Sequence, residues 1–142
     1  MAAKNMKELE AILKKRAKKG MEIISKKALA DMYEETGNFY MGKEPTMYER
    51  TGALGDTPRV TSLTVLNNEI SFNAYLDKNH KYMTGKNPTM EDILNLTKAT
   101  PVHGSSVGYL RSVRGRIGFW ERAKDKMKID FNETMGKFFE KV

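Results

Sequence analysis

The chain has 142 residues, of which 39% are hydrophobic and 30% are charged, and its formal net charge at pH 7 is +7. This length suits one domain with a real core, and a basic surface favours acidic partners such as nucleic acid or an acidic protein face. The absence of cysteine excludes disulfide bonds and thiolate chemistry. No apolar run resembles a signal peptide or a membrane span, so we expect a cytoplasmic protein or a particle assembled in cytoplasm.

The first predicted element is a long helix from near Asn5 to Glu35, in a segment assigned as 1–36, with Gly37-Asn38 as its stop signal. Gly20 lies in mid-helix, which indicates a bend or the close approach of another backbone. Apolar residues recur every three or four positions. They are Met6, Leu9, Leu13, Ala17, Gly20, Ile24, Ala28 and Met32, with Ile12 and Ile23 widening the stripe.

The polar face of this helix is strongly basic, and a second basic cluster follows in a later loop. The predicted basic patch consists of Lys14, Lys15, Arg16, Lys18 and Lys19 on the helix, and Arg111, Arg114 and Arg116 in the loop. Such a patch binds phosphates or an acidic partner subunit, or it is simply a solvated face that keeps the protein soluble.

Residues 37–58 show no periodicity and predict an extended arm. An arm of this length is unusual in a compact domain, and its apolar side chains pack either on a neighbouring subunit or back on their own core. A second polar loop begins at Asp77. The predicted subunit contacts on these arms are Phe39, Tyr40, Met41, Met47, Tyr48, Arg50, Tyr82 and Met83.

A β hairpin is predicted over residues 59–76, with its turn at Asn67-Asn68. Strict alternation places one face on Val60, Ser62, Thr64 and Leu66, and then on Ile70, Phe72, Ala74 and Leu76. Leu63, Val65 and Tyr75 make the opposite face partly apolar as well, which indicates a sheet covered on one face and partly covered on the other.

Residues 77–118 predict a loop, a short helix capped by Thr89 and running from Met90 to about Lys98, and a further loop. The short helix would bury Ile93, Leu94 and Leu96. A C-terminal helix is predicted over residues 119–142. Its apolar stripe, which we interpret as core, is Trp120, Ala123, Met127, Phe131, Met135, Phe138 and Val142. The fold class is α+β: one domain, 1–142, with a small, mainly antiparallel sheet, a long N-terminal helix and a C-terminal helix packed against it, and long interaction loops.

No group of residues shows the spacing that catalysis or metal binding requires. His80 and His103 are the only histidines, and neither lies in a metal-ligand pattern. Ser105 near His103 lacks the strand–turn–helix context of a nucleophile. The sequence therefore predicts no catalytic residue, no cofactor, no metal and no enzymatic activity.

Several short motifs follow one another in a familiar order. They are Arg50-Thr51-Gly52-Ala53-Leu54 after the first helix, the hairpin from Val60 to Leu76, Val102-His103-Gly104, and Gly118-Phe119-Trp120-Glu121-Arg122-Ala123 at the start of the last helix. In this order the chain resembles the small head–tail joining and tail-completion proteins, the minor tail component family, in the neck of long-tailed bacteriophages. The segment from Asp77 to Thr100 is longer than in the family pattern.

The resemblance implies a structural virion protein that forms a ring in the neck or the head–tail region, with no cofactor and no catalysis. Its implied partners are further copies of itself in a ring homo-oligomer and the neighbouring neck, connector or tail proteins, with no membrane involved. The residues alone also support a second hypothesis, a basic nucleic-acid-binding module that meets DNA, for instance in a channel.

Overall fold

The computed structural model describes residues 3–39, 53–79, 94 and 118–140. Within these ranges the two long helices are α1 (Met6–Phe39) and α2 (Phe119–Phe139). A short 3-10 helix (Ala53–Asp56) and four strands lie between them: β1 (Pro58–Val60), β2 (Thr64–Leu66), β3 (Glu69–Ser71) and β4 (Ala74–Leu76). The predicted α+β class is confirmed: the N-terminal and C-terminal helices pack together, and small antiparallel two-stranded sheets lie between them in the chain.

The two helices pack side by side in opposite directions. Arg122 near the start of α2 pairs with Glu35 near the end of α1, with Nε and Oε2 2.9 Å apart. At the other end, Gly20 of α1 lies under Met135 of α2. A Cβ atom at Gly20 would be 3.1 Å from the Met135 sulfur, so side chains of α2, rather than a second backbone, make the close approach there.

The core lies where the end of α1, the base of the hairpin and the start of α2 meet. Its buried side chains are Met32, Leu54, Leu76 and Phe119, and Phe119 is fully buried. Leu29, Val60, Ala74, Leu94, Trp120 and Met127 pack around them partly buried. Leu94 is helical and contacts the core, as the short-helix prediction requires, whereas the other residues of that helix lie outside the described part of the chain.

The hairpin consists of two antiparallel ladders whose registers differ by one residue. In the inner ladder Val60 pairs with Ala74, and in the outer ladder Thr64 pairs with Ser71. Three residues, 61–63, therefore lie opposite two, 72–73. Thr61 donates its N–H to the Asn73 carbonyl at 2.9 Å, and the Thr61 hydroxyl, instead of its carbonyl, accepts the Asn73 N–H at 2.8 Å. This is a β-bulge at Ser62-Leu63.

The bulge corrects the predicted alternation of the first strand. Val65 pairs directly with Ile70, so these two side chains share a face. Strict alternation had placed Val65 on the face opposite Val60 and Ile70. The two-residue turn sets that pairing, and the extra residue shifts the phase of the strand so that Val60, which pairs with Ala74, lies on this face as well.

Several predicted boundaries differ from the observed ones. The helix α1 passes through Gly37 and Asn38 to Phe39. The side chains of Glu35 and Thr36 are buried, and one helical glycine costs only about 1 kcal/mol, so packing holds the last turn. The predicted arm is also shorter at its other end, because residues 53–56 form the 3-10 helix and residue 58 begins β1.

A glycine is required where α2 begins. Gly118 adopts a left-handed conformation with φ 73°, and its carbonyl accepts a hydrogen bond from the N–H of Arg122 at 2.9 Å. Residues with a Cβ rarely adopt this conformation. In the described parts of the chain, neither helix is long and apolar enough to cross a membrane.

Candidate functional site

Described residues of both helices and the hairpin form a groove of about 670 Å³ at the end of the helix pair remote from the core. We call it the lysine-rimmed groove. Three elements line it: the first half of α1, the tip of the hairpin and the second half of α2. Its apolar lining from the helices is Leu13, Ala17, Met21, Phe131, Met135 and Phe139. Val65 and Ile70 add a cross-strand pair from the hairpin, beside Asn67 and Asn68 of the turn.

The local sequence explains why these side chains meet. Leu13, Ala17 and Met21 are spaced four residues apart on α1 and therefore share one face of the helix. The α2 residues are spaced in the same way. The turn brings the hairpin over them, because Asn67 adopts φ 52°, a left-handed conformation that asparagine tolerates.

Only part of the apolar stripe on each helix is buried in the core. On α1 the buried members are Met21, Ile24, Ala28 and Met32, whereas Met6 is 79% exposed. On α2 the predicted core stripe continues to Phe131, which is 43% exposed. The interpretation of the α2 stripe as core is therefore wrong for Phe131, which lines the groove together with Met135, whereas Phe138 faces Gly20 of α1 and Val142 lies outside the described residues.

The hairpin tip is exposed as well. Val65 is 53% exposed and Leu66 is 67% exposed, whereas the core residue Leu54 near the hairpin base is 1% exposed. An isolated apolar side chain on a surface is ordinary, but several converging in one concave site mark an interaction surface.

Three lysines of the predicted basic patch line this groove. Lys14, Lys15 and Lys18 are all exposed on α1. Lys14 pairs with Glu10, which also lines the groove, with Nζ and Oε1 2.8 Å apart. That hydrogen bond, followed by the charge of Lys14, lowers the pKa of Glu10.

The rest of the predicted patch divides. Arg16 points toward α2 and donates from Nη1 to the Phe138 carbonyl at 3.5 Å, so it ties the helices together. Lys19 is exposed but does not line the groove. The patch residues of the later loop, Arg111, Arg114 and Arg116, lie outside the described residues.

The predicted arm contacts also lie mostly beyond the described chain. Phe39 is the last residue of α1, and its side chain is not described. Tyr40, Met41, Met47, Tyr48, Arg50, Tyr82 and Met83 all lie outside the described residues. Their proposed contacts with neighbouring subunits therefore remain predictions.

A charged cluster fixes the helix pair at its core end. The Glu35 carboxylate is almost fully buried and accepts from Arg122 at 2.9 Å and from Lys126 at 2.7 Å. Lys126 also pairs with Glu34 at 3.0 Å. Burial alone would raise the pKa of Glu35, but the hydrogen bonds from Lys126 and Arg122 outweigh it, so the pKa lies below its usual value.

Asp31 and Asp130 form a second, less favourable contact between the helices. The Asp31 Oδ2 atom is buried and has no hydrogen-bond partner within the described residues. Burial, followed by the charge of Asp130, raises the pKa of Asp31 from 3.8 to about 6. Asp130 in turn pairs with Lys27, with Oδ1 and Nζ 3.2 Å apart. Asp31 therefore keeps its proton to a higher pH than a solvated carboxyl group does.

The described residues offer no evident centre for metal chemistry. Among residues 3–39, 53–79, 94 and 118–140, no group of three or more His, Asp or Glu side chains could hold a metal ion. His80 and His103 lie outside these ranges. The charged cluster and the carboxyl pair thus read as contacts between helices, and the lysine-rimmed groove is the candidate functional site.

Sequence reasoning missed the groove because its parts are far apart in the chain. One available signal was the apolar pair Leu63 and Val65 on what looked like the outer face of the hairpin. The other was the length of the two helical stripes, which exceeds what one small sheet can cover. The chain was also compared with models of known protein families, with curated proteins and with solved structures, and none of them matches it.

Proposed function

We propose that this chain is a structural subunit of a tailed-phage virion, which forms a ring in the neck or the head–tail and tail-completion region. The observation that carries the proposal is the continuation of both helical apolar stripes beyond the core, into an open groove. Side chains such as Phe131 and Val65 remain about half exposed there. In an assembly, another protein chain would cover this surface.

The resemblance of the motif order to the neck family supports the finer part of the proposal. A ring subunit needs protein-facing surfaces and no catalytic centre, cofactor or membrane contact. The chain would act in the virion, after assembly in the host cytoplasm. The long antiparallel helix pair, tied by Glu35, Arg122 and Lys126, would provide a rigid body on which the groove and the arms are mounted.

A specific observation also favours a second candidate, a basic nucleic-acid-binding module. Lys14, Lys15, Lys18 and Lys19 are exposed within little more than one turn of α1. Such a cluster attracts phosphates, and its binding would weaken steeply as salt is added.

Sedimentation velocity over about 1 to 100 µM protein, with negative-stain images of any large species, tests the first candidate. A closed oligomer of fixed stoichiometry supports it. Phe131→Ser should weaken assembly, whereas Ile129→Ser should not, because Ile129 is 56% exposed on the same helix but does not line the groove. A monomer at every concentration that binds duplex DNA in a strongly salt-dependent manner would overturn the ring proposal in favour of the second candidate.

A further inference from the structure

We infer that the lysine-rimmed groove binds a short amphipathic segment of another polypeptide, in which apolar anchor residues are flanked by at least two acidic residues. The inference rests on the proposed role as an assembly subunit and names the chemistry of the partner that the groove takes. The partner is identified by three properties of the site: its apolar floor, its charged rim and the amides at one end.

The floor specifies apolar anchors. Leu13, Ala17 and Met21 rise along α1 at intervals of about 6 Å, and Phe131 and Met135 repeat this spacing on α2. A groove between two antiparallel helices accepts side chains spaced by one turn or by alternate strand positions. At about 670 Å³, the volume suits a few large apolar side chains.

The rim specifies negative charge. Lys14 is partly neutralised by Glu10, but Lys15 and Lys18 form no ion pair with any described residue. The three lysines are distributed over about 6 Å of helix, and one carboxylate would balance only one of the two positive charges on Lys15 and Lys18. Two or more acidic groups on one segment match this spacing, and charge complementarity excludes a strongly basic segment.

The amides favour a peptide over other anionic ligands. Asn67 and Asn68 line one end of the groove, and each carboxamide both donates and accepts hydrogen bonds. A peptide backbone uses both functions, whereas a phosphate only accepts. Duplex DNA would also leave the apolar floor without a partner, because its bases are stacked inside the helix and its phosphates gain nothing from Phe131 or Val65.

The test begins with selection from a random library of displayed peptides of about 12 residues, with the whole protein as bait. Peptides are counter-selected against the double variant Val65→Ser, Phe131→Ser. Both side chains are about half exposed, so this variant should fold, which the fluorescence of the single tryptophan, Trp120, verifies. The expected result is enrichment of sequences with acidic residues beside apolar ones.

Individual enriched peptides are then measured by isothermal titration. Binding should weaken about tenfold or more in Lys15→Glu, Lys18→Glu and in the Val65, Phe131 variant. A charge-matched control, Lys26→Glu, Lys128→Glu, changes exposed lysines that do not line the groove and should bind as the wild type does. Ile129→Ser is the matched control for the apolar change.

Several results would overturn the inference: no enrichment over the groove variant, enrichment without acidic residues, or equal losses in the controls. Binding of anionic phospholipid vesicles or of duplex DNA that is tighter than that of every enriched peptide, and that is lost in the groove variant, would assign the groove to those ligands instead. Sedimentation of the same variants separates the two levels of the argument. If the protein forms a ring but selects no acidic, apolar peptide, only the groove assignment is refuted. If it binds such peptides but never assembles, only the ring proposal is refuted.

Discussion

Replacement of Asp31 by asparagine should stabilise the protein above about pH 6 and change its stability little near pH 4. Asp31 of α1 faces two groups on α2, the carboxylate of Asp130 and the ammonium group of Lys126. The charge of Glu34, on its own helix, also acts on it. Lys126 lowers its pKa, but burial, Asp130 and Glu34 outweigh this, and the pKa reaches about 6. The folded protein therefore holds a proton that the unfolded chain has already released at pH 5.

The sign of the pH dependence follows from proton uptake. Between pH 3.8 and about 6 the folded state binds more protons at Asp31 than the unfolded state does, so the free energy of unfolding falls as the pH rises. The difference between these two pKa values corresponds to a loss of at most about 3 kcal/mol in the free energy of unfolding. Solvent near the half-buried carboxyl reduces it, and we expect about 1–2 kcal/mol. Asparagine keeps the shape, removes the charge and can donate a hydrogen bond to Asp130.

Urea unfolding followed by the fluorescence of Trp120 is a suitable assay, because this single tryptophan packs partly buried against the core. Urea is uncharged and leaves electrostatic interactions unscreened. Unfolding free energies would be measured at half-unit steps from about pH 4 to pH 8 for the wild type, Asp31→Asn and Asp125→Asn. Asp125 is exposed on α2 and controls for the loss of one negative charge.

The raised pKa of Asp31 is refuted if the unfolding free energies of Asp31→Asn and the wild type change with pH in parallel over this range. It also fails if Asp125→Asn reproduces the gain, because net charge rather than the contact with Asp130 would then explain it. A loss of stability in Asp31→Asn at every pH would mean that the carboxylate is favourably paired in the folded protein.

Three further predictions concern stability. Glu35→Gln should lower the free energy of unfolding in urea by about 1–3 kcal/mol near neutral pH, because it breaks two charged hydrogen bonds. Since the pKa of Glu35 is lowered in the folded protein, this difference should fade as the pH drops below about 4.5. An unchanged difference at pH 3 would contradict this. Gly136→Ala should raise the stability measured in circular dichroism melts by about 0.5–1 kcal/mol, since a Cβ atom there meets nothing within 4 Å. Gly20→Val should instead lower the stability by about 1–3 kcal/mol, because its side chain would clash with Met135. Equal effects of the two changes would refute the close contact at Gly20. Asn67→Gly should raise the melting temperature by a few degrees, because glycine relieves the positive φ, and Asn67→Val should lower it.

The sequence allowed the two helices to be predicted because each carries an apolar stripe over several turns. Gly20 in the middle of the first helix predicted a bend or the approach of another backbone, and the structure instead places the Met135 side chain of α2 against it, so the glycine indicated a close contact without identifying its partner. The bulge could not be anticipated. It depends on the Thr61 hydroxyl, which accepts the hydrogen bond from the Asn73 N–H in place of a backbone carbonyl. Threonine is common in strands, so its presence does not indicate a bulge.

The groove escaped prediction for a different reason. Periodicity reveals which face of a helix is apolar, but it does not reveal how much of that face the rest of the chain covers. Leu13 and Phe131 fit a core pattern as well as Met32 and Ala123 do. The structure separates them: Met32 and Ala123 are buried, whereas Leu13 and Phe131 line the groove beside the hairpin tip.

The bulge at Ser62-Leu63 has a consequence for how the length of this chain can vary. Deletion of Ser62 would leave a regular ladder in which Val60 still pairs with Ala74 and Val65 still pairs with Ile70. The extra residue bends and twists its strand, so it sets the direction of the tip. Gain or loss of a residue there would re-aim the tip and change the width of the groove, while the core at the hairpin base keeps its contacts.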